Sequence, residues 1–345
     1  MWAKIIDFLE DYCDLEIEKV SNEEILEGKI KTSKRDIEIG GGVPHFYATS
    51  DLNQQQRMTN ETFSYKWASL YETYTQDEFE VQLEFVIKRL RPLGITTKEE
   101  FVNFLSAKEC ILDAGAGNGW MSRFMAENTS GEVISAEIAD GVYEGYKKCK
   151  QLKNCHIVKA DLLNLPFKNN LFDYIHSDGV LHHTPDCKGA VKALYDRLKP
   201  GGVFWFYIYR EMNPVKHFCD DYIRTEFNKL SPQEAEKACE AITELGRELS
   251  KINATIELKK PINILNIPAG TYDVQRFIYY NFMKCYWNEK AGYAFSNMVN
   301  FDWYHPNTAS QHTVEQVEAW IKEFGIEKYD IYIANPNGIN VFLYK

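Results

Sequence analysis

Asp113 is followed by three glycines at every second position, Gly115, Gly117 and Gly119, and then by an amphipathic run with Trp120, Met121, Phe124 and Met125 on one side. Glycine adopts backbone conformations closed to other residues and lets a ligand approach the bare main chain, while the start of a helix offers free N–H groups. The stretch is therefore a candidate cradle for a polar ligand. A nicotinamide or flavin dinucleotide fits poorly, because that fingerprint runs Gly-x-Gly-x-x-Gly and Trp120 stands where its third glycine would fall. Further along, His182 and His183 are adjacent. An imidazole titrates near neutral pH and can take a proton from a hydroxyl or amine, so either is a candidate general base. Arg210, with His217, Arg224 and Arg276, could grip an anionic substrate group, or could instead pair with Glu211, Asp220, Asp221 and Asp273.

The elements that must position these residues follow from apolar patterning. Between 110 and 210, strand candidates at Cys110–Ala114, Glu132–Glu137, His156–Lys159, Phe172–Ser177 and Val203–Tyr209 alternate with helix candidates at Gly119–Glu127, Val142–Leu152 and Lys188–Leu198. Such alternation implies a parallel sheet covered on both faces, with its ligand crevice at the carboxyl ends of the strands. Residues 1–22 have the spacing of a helix, with Ile5, Ile6, Phe8, Leu9 and Tyr12 among acids, and residues 25–44 suggest a small β-hairpin unit. Thr75 with Glu78, and Thr97 with Glu100, have capping-box spacing ahead of two helices. Residues 211–312 interrupt the alternation: Ser231-Pro232-Gln233-Glu234 starts a helix to about Ser250, and a dense aromatic tract follows from Phe277 to Tyr304. A helix over Thr313–Phe324 and two apolar runs, Lys328–Ala334 and Ile339–Tyr344, could close the sheet. Four units result: an extension at 1–74, a core at 75–210, an insertion at 211–312 and a closing segment at 313–345.

The chain has 345 residues and a formal net charge of -11. That balance opposes a broad nucleic-acid footprint. No apolar run is long enough to span a membrane, the N-terminus lacks signal-peptide architecture, and the cytoplasm is the expected compartment. The eight cysteines are scattered, with no Cys-x-x-Cys pair, which fits buried apolar residues better than a zinc site or a thiol nucleophile. No metal is expected. His305 and His312 flank a Pro-Asn turn, for which a loop role outweighs a metal pair.

The run Asp113-x-Gly-x-Gly-x-Gly resembles the first motif of class I S-adenosylmethionine-dependent methyltransferases. The segments Val133–Glu137, Ala160-Asp161-Leu162, Phe172–His183 and Leu198–Val203 match that family's later motifs in order, over roughly residues 110–210. The resemblance implies a doubly wound, mostly parallel, Rossmann-like seven-stranded sheet with an insertion after the fifth strand. It also implies S-adenosylmethionine as the methyl donor. Donor contacts are implied at Asp113, Gly115, Gly117, Gly119, Glu137 (ribose hydroxyls), Ile138, Asp161 (adenine amino group), Leu162, Ser177, His182 and Trp67. Tyr65, Trp67, Trp303 and Tyr304 are candidate aromatic faces for the sulfonium, and His182, His183, Tyr65 and Arg210 are the catalytic candidates. Residues 25–44 also resemble a zinc-ribbon-like unit found ahead of bacterial methyltransferase domains, with its cysteines absent near Thr32 and Lys34. The expected activity is methyl transfer to an oxygen or nitrogen of a small molecule of saccharide or secondary-metabolite type. The alternatives are an RNA methyltransferase and a non-catalytic binding subunit.

Overall fold

The computed structural model describes residues 1–47, 49–69 and 76–345. Strands β1 (Asp14–Ser21), β2 (Glu24–Lys31), β3 (Asp36–Gly40) and β4 (Val43–Pro44) form a four-stranded antiparallel sheet. The helix expected over 1–22 is not there: a 3-10 turn covers Ala3–Phe8, and the chain then extends into β1. The cause is the turn that follows, where Asn22 and Glu23 both have positive φ, 52° and 67°. Two such residues make a primed hairpin turn, whose twist suits paired strands, and Asp14–Ser21 zips onto β2. The zinc-ribbon likeness has no support; among the described residues no group of His, Cys, Asp or Glu could hold a metal ion.

Helices α1 (Gln54–Ser69), α2 (Gln76–Arg89) and α3 (Lys98–Ser106) lead into the main sheet. The capping box of Thr97 and Glu100 forms at the start of α3, whereas Thr75 lies outside the described residues. The core then alternates β5 (Cys110–Ala114), α4 (Trp120–Glu127), β6 (Glu132–Glu137), α5 (Val142–Cys149), β7 (Cys155–Lys159), β8 (Phe172–Asp178), α6 (Cys187–Arg197) and β9 (Leu198–Tyr209). The insertion holds α7 (Pro214–Phe227), α8 (Pro232–Lys251), a hairpin of β10 (Thr255–Leu258) and β11 (Gly270–Asp273), α9 (Val274–Asn281) and α10 (Gly292–Tyr304). The chain closes with α11 (Val314–Glu323), β12 (Tyr329–Tyr332) and β13 (Gly338–Tyr344).

Among the described residues the main sheet runs β7-β6-β5-β8-β9-β13-β12, parallel from β7 to β9 and antiparallel beyond. Alternation along β9 divides the two cores. Phe204, Phe206 and Ile208 face α6, α11 and the N-terminal unit, while Trp205, Tyr207 and Tyr209 share the other core with α2–α5 and α10. The free edge of β7 is covered by the N-terminal unit, where Phe46 N–H donates to the Lys159 carbonyl at 2.8 Å. An open edge would invite pairing with another chain.

One buried carboxylate knits the insertion together. Asp220 of α7 accepts from Trp303 Nε1 at 3.0 Å, from the Tyr304 hydroxyl at 2.9 Å and from the Lys284 backbone N–H at 3.2 Å, and it sits 3.0 Å from Lys216 Nζ. Both members of that ion pair are fully buried. A second buried network joins α8 to α10: Asn300 donates to Thr243, which donates to Asn297, and Asn300 Oδ1 accepts from Tyr286 N–H at 2.7 Å. Together they fix the non-helical segment 283–287 between three helices. Removing one partner of a buried ion pair strands the other, at a cost of roughly 3–5 kcal/mol. Asp220→Ala is thus expected to lower unfolding stability by about that amount in urea titrations, and adding Lys216→Met to restore part of it. No recovery in the double variant would show that the stranded ammonium is not the cause.

Candidate functional site

The carboxyl ends of β5 to β9 open into a cavity of about 570 Å³. One end is walled by Asp113, Gly115, Ala116, Glu137, Ile138, Asp161 and Leu162, with Trp67 of α1 across from them. The other is walled by Tyr207, Tyr209 and residues of the insertion, including Arg276, Tyr279, Lys284 and Trp303.

The glycine turn is shaped by what packs on it. At Gly117 (φ 57°) a Cβ would meet the Trp67 ring at 2.6 Å, and at Gly119 (φ 74°) it would meet the Gly145 backbone at 2.7 Å. Gly117 and Gly119 therefore serve close packing of Trp67 and of α5, and neither glycine lies on the cavity wall, whereas Gly115 and Trp67 do. Glu137 closes the turn from below. Its Oε2 accepts from Gly117 N–H at 2.8 Å and its Oε1 from Ala139 N–H at 2.8 Å. Burial raises its pKa while those N–H groups pull it back. A carboxylate offers about four lone-pair sites, more than these two bonds use, and Glu137 lines the cavity. Asp161 caps a short 3-10 turn, accepting from Leu163 N–H at 3.0 Å and from Asn164 Nδ2 at 3.2 Å, and it too faces the cavity beside the apolar Leu162. Asp113 takes a 2.5 Å hydrogen bond from Ser122 Oγ, and burial pushes its pKa up to about 7.

The two histidines have separate fates. His183 lines the cavity; its Nδ1 lies 2.6 Å from the Thr308 carbonyl, and its buried Nε2 has no partner. An Nδ1–H donated to that carbonyl leaves Nε2 as the free acceptor. Burial holds the pKa down at about 4, so the ring is neutral at pH 7. His182 is off the cavity wall, fully buried and stacked on Tyr209 at 3.6 Å. The structure thus places His182, expected at the donor and in catalysis, against Tyr209 and not on the cavity wall.

Three further expectations are corrected. Ser177 points away from the cavity and donates to the Ala114 carbonyl at 3.0 Å, stitching β8 to β5. Tyr65 points toward α8, where its hydroxyl donates to Glu236; burial and that carboxylate push its pKa up to about 12. Arg210 lies off the cavity, its backbone N–H bonded to Asn337 and its charge close enough to lower the Glu315 pKa. Of the two readings of the basic residues, pairing with acids is the one seen for His217 and Arg224, both on Asp221 at 3.2 and 3.1 Å, and of the four only Arg276 reaches the cavity. Tyr304 is committed to Asp220, while Trp67 and Trp303 do line the cavity. His305 bonds Thr62 at 2.9 Å and His312 bonds Ser310 at 2.9 Å, as loop residues. The four thiols Cys155, Cys187, Cys219 and Cys285 are absent from the wall.

The cavity also contains charges that sequence reasoning missed. Arg89 of α2 pairs with Asp178 at the end of β8, its guanidinium carbon 3.8 Å from the Tyr207 ring centroid. Lys66 of α1 pairs with Asp302 of α10 at 2.8 Å and lies 4.1 Å over Trp67. Burial alone would raise the Asp302 pKa, but Lys66 and His183 hold it below the usual value. Lys284 has its Nζ 4.2 Å over the Trp303 ring, and burial pushes its pKa down to about 7. Only Asp178, the acid ending β8, had a local signal; Arg89 meets it across 89 residues, Lys66 and Asp302 meet across 236, and Lys284 lies in irregular backbone.

Residues 112–206, from within β5 to within β9, match a family model described as a methyltransferase domain. Demethylmenaquinone methyltransferase of Staphylococcus saprophyticus is 36% identical over 90 residues, which is 26% of this chain and 39% of the relative. Cycloartenol-C-24-methyltransferase of Arabidopsis thaliana is 33% identical over 101 residues, 28% of this chain and 30% of the relative. The chain thus spans less than half the length of these curated relatives. Among solved structures, the N-methyltransferase NodS of Bradyrhizobium japonicum with S-adenosyl-L-homocysteine is 17% identical, covering 48% of this chain and 78% of that one, with a TM-score of 0.36. A DhpI complex with the same ligand is 10% identical, covering 83% and 95%, with a TM-score of 0.40. Structural likenesses this distant carry no argument about function.

The raised Asp113 pKa has a measurable consequence. Below its ordinary value near 3.8 the group is protonated in both folded and unfolded chains. Above that the unfolded chain loses the proton while the folded one keeps it, until pH rises through about 7. The stability contributed by Asp113 is therefore full below pH 3.8 and lost as pH climbs to about 7. The difference in urea midpoint between wild type and Asp113→Asn should shift against wild type across that window; parallel curves would mean Asp113 is ionised throughout.

Proposed function

We propose that this chain is an S-adenosylmethionine-dependent methyltransferase acting on an oxygen or nitrogen of a small molecule. The observation that carries the reading is the convergence of Glu137, Asp161 and Leu162 on one cavity beside the glycine turn, within the segment that matches a methyltransferase domain. These residues fit the donor. Glu137 has lone-pair sites left for the vicinal ribose hydroxyls, Asp161 has sites left for an exocyclic amino group, and Leu162 with Ile138 offers apolar faces to a purine. Trp67 covers the turn from the α1 side. When bound, S-adenosylmethionine supplies an electrophilic methyl group on a positively charged sulfur.

What the chain's own residues contribute is alignment, exclusion of water and acceptance of a proton. His183, neutral, on the cavity wall and with an Nε2 that has no partner among the described residues, is suited to take the proton of an acceptor hydroxyl or amine. Lys66 and Asp302 brace the wall beside it. The insertion supplies most of the other end of the cavity, and its aromatic walls suit a small, partly apolar acceptor. The relatives named for demethylmenaquinone and cycloartenol support the small-molecule class. The saccharide or secondary-metabolite type belongs to the same reading on the sequence resemblance alone. The charge of -11 counts against RNA.

Calorimetry with S-adenosylhomocysteine tests the donor half. Wild type should bind it, and Glu137→Ala should weaken binding by removing charged hydrogen bonds worth roughly 1.5–3 kcal/mol each. Unchanged affinity in the variant would remove Glu137 from the donor site, and no binding by wild type would leave a non-catalytic module as the better reading. With any acceptor identified by transfer of a radiolabelled methyl group, His183→Ala should lower kcat by about 10²–10⁴ without loss of S-adenosylhomocysteine affinity. Tyr65→Phe and Arg210→Ala should stay near wild type. A larger loss in either of these than in His183→Ala would reverse the assignment.

A further inference from the structure

Five cationic residues line the cavity, and they divide into two kinds. Lys66, Lys88 and Arg89 pair with Asp302, Glu84 and Asp178. Lys284 and Arg276 do not: among the described residues neither takes part in an ion pair. Lys284 Nζ has only the Trp303 face at 4.2 Å, and the one hydrogen bond from the Arg276 guanidinium goes to the Trp287 carbonyl at 3.2 Å. The acids nearest Lys284 are already engaged, Asp302 with Lys66 and Asp220 with Lys216. Two cations are therefore left over at the insertion end, in a chain whose net charge is -11.

Both are held in place by the fold. Segment 284–287 lies alongside α9, with Gln275 Nε2 donating to the Cys285 carbonyl at 2.7 Å and Arg276 to Trp287. At Gly246 of α8 a Cβ would meet the Cys285 carbonyl oxygen at 2.5 Å, so α8 closes the other side of the segment. Aromatic rings flank both cations: the Arg276 guanidinium carbon lies 5.3 Å from the Tyr279 centroid and 5.7 Å from that of Tyr286, and Lys284 Nζ lies over Trp303. Asn337 completes this end; its amide donates to the Tyr279 hydroxyl at 2.8 Å, and its Oδ1 is buried with no partner. An unpaired ammonium on a cavity wall is costly unless a ligand answers it.

We propose that the acceptor is an aromatic carboxylate bearing a hydroxyl or amino group: the carboxylate lies at the end lined by Lys284 and Arg276, the ring lies among Tyr279, Tyr286 and Trp303, and the hydroxyl or amino group faces His183. This rests on the methyltransferase reading only in calling that ligand the acceptor. Burial holds the Lys284 pKa down to about 7, so a bound anion also restores its full charge.

The test is calorimetry with para-hydroxybenzoate and para-hydroxybenzamide, which share a ring and a hydroxyl and differ in charge, on the full chain with and without saturating S-adenosylhomocysteine. The carboxylate should bind about tenfold more tightly or better. Lys284→Met and Arg276→Leu should each remove most of that preference while keeping S-adenosylhomocysteine affinity, and Lys284→Arg should keep the preference. Equal affinity of the two probes, no binding of either, survival of the preference in both neutral variants, or stronger binding of phenyl phosphate would each overturn the proposal. A carboxylate preference in a protein that does not bind S-adenosylhomocysteine would defeat the donor reading and leave the anionic pole standing; the reverse pattern would do the opposite.

Discussion

Glu137 ends β6 with its two carboxylate oxygens held by two backbone N–H groups, one from the glycine turn after β5 and one from the chain just beyond β6. That pair of bonds fixes how far apart the ends of two neighbouring strands stand and which way the turn faces. Trp67 can then lie flat against Gly117, because no Cβ intervenes, and α4 and α5 can meet backbone to backbone at Gly119 and Gly145. The carboxylate is buried where an isolated charge would be costly, and hydrogen bonds to the ionised form are what make it tolerable there. The same arrangement leaves lone pairs free on a residue that lines the cavity, so the group that organises the turn is also the one best placed to recognise a diol.

The insertion solves a related problem with Asp220. It draws α7, α10 and segment 283–287 onto one carboxylate, and it holds Trp303 and the backbone of Lys284 at the cavity wall. One buried acid shapes the donor end through backbone N–H groups; another shapes the insertion end through side chains. Between them the cavity has an acidic pole formed by Asp113, Glu137 and Asp161 and a cationic pole formed by Lys284 and Arg276. A donor with hydroxyl and amino groups and an acceptor with a carboxylate would each meet the complementary pole, which gives both orientation and discrimination.

How much was legible in the sequence follows from the range of the interactions. The strands of the core announce themselves as short apolar runs bounded by glycine or acid, because a parallel strand is buried on both faces. The acids at their carboxyl ends, Glu137 and Asp161, could be found for the same reason. The N-terminal strand was missed because its hairpin turn is Asn22-Glu23 rather than a glycine pair, and because the apolar spacing of Ile5 to Tyr12 mimics a helix. Arg210 was misjudged although period-two alternation carried the answer: Tyr207 and Tyr209 face the cavity, so the next residue turns away. His182 and His183 could not be separated without the 3-10 turn that aims one at the cavity and the other at Tyr209. Lys284, Asp220 and the Lys66–Asp302 pair are contacts between distant segments with no local pattern to reveal them.

The central claim is that Glu137 and Asp161 receive the nucleoside part of S-adenosylmethionine within this cavity. A crystal structure of the chain with S-adenosylhomocysteine tests it most directly. Both ribose hydroxyls should donate to Glu137, and the adenine should sit on Leu162 with its amino group toward Asp161. A ligand bound elsewhere, or a Glu137 carboxylate whose only partners stay the Gly117 and Ala139 N–H groups, would contradict it.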